Sequence, residues 1–508
     1  MIDVQVTTLS MMKACSQDCA DAYVFMGHEN TDLKELQHIS DILYKPLYDA
    51  LVQRNFTFKK DTSVVLNTVY DDRPVYLIFL GLGSEKDGLL NKEYYRRALG
   101  RLVRICERNN IKRLGMELPD PQLFGIDHKR IASETASILY KASYHFDQFI
   151  TDARKKFTWT TSMVISVDKK HVKKIEDGIK RGKIIAESIN QARYWCDMPP
   201  SHLTPTIFAE QAQDMADKHD NLETEVFDES HILGLKMGGI EAVSRGSNEE
   251  ARFVIMKYTT SVKNAPTIAI VGKGVTFDSG GLSLKPAFAM ETMKDDMAGA
   301  AVVLSTMKAV AQLKPDVNVI ACAPLTENMP NGRALKPGDV ITFYNGKTAE
   351  VKNTDAEGRL ILADALSYMT HNYKLDAIID LATLTGACVS ALGPFYAALL
   401  SEDQELAQHV MHASYASGDR VWPLPFDDDY KVAISSDIAD MSNIGAGKYK
   451  SGTITAACFL QHFVKDTPWA HLDIAGVAFG VPDMTYLRPG ATGFGIRMLL
   501  DLFDTYTP

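Results

Sequence analysis

Thr267-Ile-Ala-Ile-Val-Gly-Lys-Gly-Val-Thr-Phe-Asp-Ser-Gly-Gly281 is the stretch from which the fold is read. Its first six residues form a near-continuous apolar run. A strand buried on both faces of a parallel sheet has that composition, because helices cover both sides. Directly at the end of this run stands Lys273, between two glycines that let backbone crowd close. Asp278 follows five residues later, and Lys285 closes the glycine-rich segment just before Pro286. A lone buried lysine is usually paired or snorkelling. Two lysines and an aspartate around a strand end mark a polar pocket, and in open α/β sheets ligands sit at that carboxyl edge.

The same alternation extends in both directions. Downstream, the pattern predicts a helix over Thr292–Gln312, a strand over Asn318–Ala323, a helix over Gly358–Thr370 and a strand over Ala377–Leu384. Val340–Tyr344 and Thr348–Lys352 flank Asn345-Gly346, a hairpin signal. Upstream, strands are expected at Val4–Leu9, Ala22–Met26, Ser63–Val69, Val75–Leu80 and Met163–Val167, with helices at Tyr94–Asn109 and Lys129–Tyr144. Gly81-Leu82-Gly83 lacks the spacing of a dinucleotide fingerprint and reads as a tight strand-end turn. Between the two regions, Asp168–Cys196 has the three- to four-residue apolar period of one long helix, halted at Met198-Pro199-Pro200. The expected fold class is α/β: a smaller N-terminal open sheet domain (1–167), a linker helix (168–197) and a larger C-terminal domain (198–508) with a mixed, mainly parallel sheet.

At 508 residues the chain can bury an ample core. With 46% hydrophobic and 23% charged residues and a formal net charge of −10, it is expected to be soluble, with no bulk attraction to nucleic acid or anionic lipid. The stretch Met1–Ser10 has neither the basic start nor the apolar run of a signal peptide, and Ala377–Leu400 is broken by Asp380, Gly386, Gly393 and Pro394, so no membrane span is expected. Seven widely spaced cysteines without a Cys-x-x-Cys pair fit a reducing, cytoplasmic compartment. Cys15 and Cys19, one helical turn apart, read as packing. The basic residues Arg154, Lys155, Lys156, Lys169, Lys170, Lys173, Lys174, Lys180, Arg181 and Lys183 read as the solvated face of the linker helix.

Two further segments carry charge in unusual places. Met293-Lys-Asp-Asp-Met-Ala-Gly-Ala-Ala301 opens the helix expected over Thr292–Gln312, and alone its Asp295 and Asp296 would be dipole-stabilised N-terminal carboxylates. Asn353-Thr-Asp-Ala-Glu-Gly-Arg-Leu360 leaves the hairpin, with Asp355 and Glu357 two apart and Arg359 close behind. As a lone loop it would be a helix cap. Taken together, Asp278, Asp296, Asp355 and Glu357 would repel one another at strand ends unless cations neutralise them. Two divalent ions bridged by shared carboxylates do so in two-metal hydrolytic sites. These strings contain no histidine and the chain has no His-Glu-x-x-His, which excludes an ordinary zincin. If Lys273 is a ligand it must be neutral, with a pKa lowered from ~10.4 by burial and adjacent cations, leaving Lys285 as the charged lysine.

These strings, in this order, resemble the leucyl (cytosol) aminopeptidase family of two-metal metallopeptidases. Agreement extends through Gly332–Val351, Leu362–Tyr368, Asp380–Gly386, Trp469–Ala478 and Gly490–Arg497. The resemblance implies that Lys273, Asp278, Asp296, Asp355 and Glu357 hold two divalent metals, Zn²⁺ or Mn²⁺, with Asp278 and Glu357 bridging and Asp355 also offering its carbonyl. A metal-bridging water would attack the peptide, Lys285 would stabilise the gem-diolate, and Arg359 would hold a bicarbonate as general base. The substrate's free α-amine would bind a metal. Met293, Asn353, Thr383, Leu384 and Gly386 match substrate-contact positions, Met293 lining an apolar pocket for the leucine-like N-terminal side chain. The implied assembly is a cytoplasmic homohexamer acting on peptides. Asp197 and Asp440 stand where the family often has asparagine.

Rival readings are a dipeptidase differing only in substrate preference, a non-catalytic scaffold, and a DNA-binding regulator. The last has local support only in the basic Arg154–Lys183 stretch.

Overall fold

In a computed structural model, which describes residues 2–8, 20–36, 46–70, 72–152, 161–449 and 451–507, the alternation of apolar runs and helical periods resolves into two units. One comprises Met1–Glu187 with Asp483–Arg488; the other comprises Ser188–Pro482 with Pro489–Pro508.

The first unit is built on a six-stranded sheet. Its strands are β1 (Ile2–Thr7), β2 (Ala22–Gly27), β3 (Ser63–Tyr70), β4 (Arg73–Gly81), β5 (Arg113–Glu117) and β6 (Thr161–Ser166), in the order β1-β6-β5-β2-β4-β3. Every pairing is parallel except the β3–β4 hairpin. Five of these strands stand where β-branched and aromatic runs predict them. The sixth, β5, is Arg-Leu-Gly-Met-Glu, whose composition carries no strand signal. Pairing on both sides, with β2 and β6, overrides local propensity there. The helices Lys92–Arg108 and His128–Ala142 begin where Asn91 and Asp127 accept from backbone N–H groups of the first turn. The distant segment Asp483–Arg488 is tied into this unit by Arg104, whose Nη2 donates to Asp483 Oδ1 (2.7 Å), and by Thr485 Oγ1 on Arg97 O (2.8 Å).

The expected linker helix is one turn shorter at its start: a 3₁₀ turn, Lys169–His171, leads into the helix Val172–Asp197. Lys169, Lys170, Lys173, Lys174, Lys180 and Lys183 are exposed on it, and Lys173 pairs with Asp177 at 3.0 Å, as on a solvated face. Arg154, Lys155 and Lys156 lie outside the described residues, as do Cys15, Cys19 and the last residue of the first expected strand, Leu9. The other five cysteines are free and buried. Among the described residues no helix is long and apolar enough to cross a membrane.

The second unit holds the quoted stretch. Its strands are β7 (Leu222–Phe227), β8 (Arg252–Tyr258), β9 (Thr267–Gly272), β10 (Gly274–Asp278), β11 (Asn318–Asn328), β12 (Val340–Thr342), β13 (Thr348–Glu350), β14 (Ala377–Ala382), β15 (Ala397–Leu400), β16 (Val421–Pro423), β17 (Met441–Ser442) and β18 (Trp469–Asp473). Nine of them form one sheet in the order β16-β15-β18-β14-β9-β11-β8-β7, with β10 alongside β11. β9 lies between β11 and β14, parallel to both, and its apolar run is buried on both faces by flanking helices. The β7, β8 and β15 pairings supply the antiparallel part of a mixed, mainly parallel sheet, as expected. Asn345-Gly346 turns the β12–β13 hairpin, which β17 extends into a separate three-stranded sheet.

Three of the expected boundaries that move concern the site. The strand from Asn318 runs on to Asn328 because β10 pairs with its second half, Asp278 opposite Asn328. The strand from Ala377 stops at Ala382, releasing Thr383, Leu384 and Thr385 from the sheet. The helix expected from Thr292 begins only at Ala298, after a 3₁₀ turn at Met293–Asp295. The Ala300 N–H there is spent on Lys273 O (2.8 Å), so the chain before it is shaped by the sheet edge and Asp296 falls between the two helical pieces.

Candidate metal centre

The carboxyl ends of β9, β10, β11 and β14 converge with the Asn353–Arg359 loop. A cleft of about 630 Å³ opens there, within the second unit. Lys273, Asp278, Lys285, Met293, Asp296, Asn353, Asp355, Glu357, Arg359, Thr383, Leu384 and Gly386, twelve residues scattered over more than a hundred positions, all line it.

Asp278, Asp355 and Glu357 each offer an oxygen within 4.8 Å of the others'. Asp278, Asp296 and Glu357 are buried, and Asp355 is partly exposed. Lys273 Nζ lies 2.7 Å from Asp296 Oδ1 and 2.9 Å from Glu357 Oε1, and donates to Thr383 O (3.0 Å). Lys285 Nζ lies 2.9 Å from Asp278 Oδ2 and 2.5 Å from Asp355 Oδ1. Burial raises the pKa of Asp296, Glu357 and Asp355 against the pull of these ammoniums. For both lysines burial pulls the other way, and the clustered carboxylates more than reverse it, so both are held above the usual lysine value. Protein groups alone thus keep Lys273 charged. A neutral Lys273 requires other cations on the same carboxylates.

The donor set fits such cations. Asp296 Oδ2 and Glu357 Oε2 are buried with no hydrogen-bond partner among the described residues. Buried carboxylate oxygens left without N–H or O–H donors are costly unless a positive charge takes them. Arg359 is likewise buried. Its Nη1 donates to Asn443 O (2.8 Å), while its Nε has no partner among the described residues, and burial lowers its pKa to about 10, still cationic at neutral pH. A guanidinium with an open N–H suits a small planar anion.

Local sequence explains why the loops hold these shapes. Asn353 Oδ1 accepts from Asp355 N (2.8 Å), the Asx turn that brings Asp355 and Glu357 round to one side. A Cβ on Gly358 would lie 2.4 Å from Lys273 Cε, so a larger residue at the start of the helix Gly358–Asn372 would push that side chain away from Asp296, Glu357 and Thr383 O, which hold its Nζ. Gly358→Ala, which improves helix propensity by ~1 kcal/mol, is therefore expected to destabilise by ~1–3 kcal/mol through overpacking and to lower kcat/KM. A thermal melt beside peptidase kinetics checks this, and an unchanged or raised midpoint with full activity would contradict the geometry.

Sequence reading passed over several supporting residues. Asn443, fully buried, accepts from Lys352 N (2.8 Å) and donates to Asn353 O (2.7 Å), as well as presenting its carbonyl to Arg359. Asp473, at the end of β18, accepts from Thr385 Oγ1 (2.6 Å) and Leu384 N (3.2 Å), fixing the chain released from β14. Asn328 donates to Asp278 Oδ1 (2.8 Å). Only Asp473 carried a signal like that of Lys273, a charged residue ending a buried strand.

A lysine-flanked carboxylate cluster at the carboxyl edge of a mainly parallel sheet is the kind of site that holds divalent ions in metal-dependent hydrolases. Comparison with known proteins agrees. Residues 190–500 match the catalytic domain of the cytosol aminopeptidase family, and residues 23–153 match that family's N-terminal domain. A "Probable cytosol aminopeptidase" of Chlorobaculum tepidum is 43% identical over 443 residues, 85% of this chain and 86% of the relative. One of Alkaliphilus oremlandii is 40% identical over 492 residues, 95% and 96%. Among solved structures, "Bottromycin maturation enzyme BotP in complex with Mn" is similar with a TM-score of 0.83 at 31% identity, covering 96% of this chain and 99% of that one. The chain belongs to the cytosol aminopeptidase family, and is a metallopeptidase of the aminopeptidase type.

Proposed function

We propose that the protein releases leucine-like N-terminal residues from peptides, with residues 198–508 as the catalytic domain. Lys273, Asp278, Asp296, Asp355 and Glu357 would hold two divalent ions, Zn²⁺ or Mn²⁺. The observation that carries this reading is the convergence of these carboxylates, with buried oxygens of Asp296 and Glu357 left unpartnered among the described residues, in the cleft that also contains Lys285 and Arg359. When bound, such ions supply an acidified water and polarise the scissile carbonyl. With the carboxylates taken up by such ions, burial and the ions' own positive charge would both act to make the Lys273 amine neutral and available as a ligand. Lys285, less buried and relieved of its two carboxylate partners, keeps its proton and donates to the oxygen on which negative charge develops in the gem-diolate.

Arg359, through its unpaired Nε, would hold a bicarbonate, which would supply a general base. The substrate's free α-amino group is received at the acidic cluster, which limits cleavage to the first residue. Thr383, Leu384, Gly386 and Asn353 orient the backbone beside it, and Met293 gives the side-chain pocket an apolar wall. The family resemblance also supports a cytoplasmic homohexamer, which light scattering would read as six times the chain's mass.

The decisive experiment is hydrolysis of leucine p-nitroanilide by chelated protein before and after Mn²⁺ or Zn²⁺ is restored, with N-acetyl-leucine p-nitroanilide alongside. Activity restored by metal and confined to the free amine is expected. Equal cleavage of the blocked substrate, or activity indifferent to chelation, would overturn the reading.

A further inference from the structure

The extension of β11 to Asn328 places that residue opposite Asp278 in the parallel β10–β11 pair. Asn328 is buried, 4% exposed. Its Nδ2 donates to Asp278 Oδ1 (2.8 Å) and to Thr354 O (3.0 Å). A carboxylate oxygen and a peptide carbonyl can only accept here, so chemistry decides which end of the amide is nitrogen. The other end is confined as well, since a Cβ on Gly281 would lie 2.7 Å from Asn328 Oδ1. The residue's own carbonyl receives Ser279 N (3.0 Å) and Ser279 Oγ (2.7 Å), anchoring the chain that follows Asp278.

Asp278 Oδ1 also accepts from Gly280 N (2.8 Å). That oxygen therefore has two N–H donors behind it, and the carboxylate's free rotation is lost. Oδ2 is left as the oxygen facing Lys285 and the cluster. Thr354, the second acceptor, immediately precedes Asp355 in the loop that carries Glu357. A single amide group thus spans from one carboxylate of the cluster to the loop bearing two others.

We infer that Asn328 is a positioning residue for the metal centre: its side-chain amide sets the orientation of Asp278 and its distance from the Asp355–Glu357 loop, and so presets divalent-metal affinity. The inference rests on the proposed ligand set. Hydrogen bonds behind a ligating carboxylate fix its geometry before the ion arrives, and losing such a partner typically costs ~10–100-fold in metal affinity. No ligand atom is removed by changing Asn328, so an effect on binding would act through orientation alone.

The full chain, stripped by chelation, is titrated with Mn²⁺ while the free ion is read by electron paramagnetic resonance. Wild type, Asn328→Ala and Asn328→Ser are compared, with Asn328→Ser the variant of record if Asn328→Ala does not fold. The expected result is a Kd raised ~10–100-fold in the folded variants, with the stoichiometry of two ions reached only at higher Mn²⁺. A merely structural role would lower the thermal midpoint of the stripped protein and leave the Kd of the folded fraction unchanged, and that result overturns the inference. Wild type that binds no Mn²⁺ stoichiometrically would instead overturn the ligand set, so the two failures are told apart.

Discussion

Glu357→Gln is expected to lose bound metal and activity together, and to lose more of both than Asp355→Asn. Glu357 is 1% exposed, with Oε1 on the Lys273 ammonium and Oε2 unpartnered. The amide keeps the size of the side chain and discards its charge. One end of it would then set an NH₂ group against either Lys273 or the position a cation takes, so no orientation satisfies both. Removing one member of a buried charge pair costs about 3–5 kcal/mol, or roughly 10²–10³-fold in an equilibrium at ~1.4 kcal/mol per decade. Asp355 is partly exposed and its charge is better screened, so the corresponding loss is smaller. Metal content by atomic absorption, measured on the same preparations as kcat/KM, decides the matter. Glu357→Gln that retains both metals and wild-type turnover would remove Glu357 from the centre.

The ranking of these two variants was not available from the sequence, although the residues were. The apolar run at Thr267–Gly272 was legible because a strand buried on both faces has no polar positions to confuse its reading, and the charges at its end were conspicuous for that reason. The Asn353–Leu360 string was legible as a unit because its loop chemistry is local: Asn353 binds the backbone of Asp355 two residues on. What escaped was everything set by pairing between distant strands. β5 has no β-branched residue and exists because β2 and β6 leave a place for it. The 3₁₀ turn before Ala298 arises where Ala300 N is claimed by Lys273 O, a bond between residues 27 apart in the chain. Asn328, Asn443 and Asp473 are single polar residues that act on segments 26 to 90 positions away. Periodicity and local motifs contain no term for such contacts. The carboxylates announce themselves by their number, whereas the amides that hold them do not.

That difference between bearing charge on the cluster and acting beside it gives the second large effect, Lys285→Ala. This variant is expected to retain its metals and lose turnover, by roughly the 10²–10³-fold that follows removal of one oxyanion-stabilising donor. Lys285 contributes no lone pair while it is an ammonium, and its side chain is more exposed to water than that of Lys273, which favours that form. Its two partners, Asp278 Oδ2 and Asp355 Oδ1, are oxygens proposed for the ions. The ammonium therefore competes with divalent cations for them, and deleting it should leave metal affinity equal or tighter. The opposite movements of affinity and kcat are what identify the role. A group that only held the fold together would lower both, and a group that bound substrate equally in ground and transition states would raise KM with kcat unchanged. Mn²⁺ titration and steady-state kinetics on one preparation separate these cases. A fully active Lys285→Ala would exclude the lysine from stabilising the developing charge, and metal lost in step with activity would reassign it to building the site.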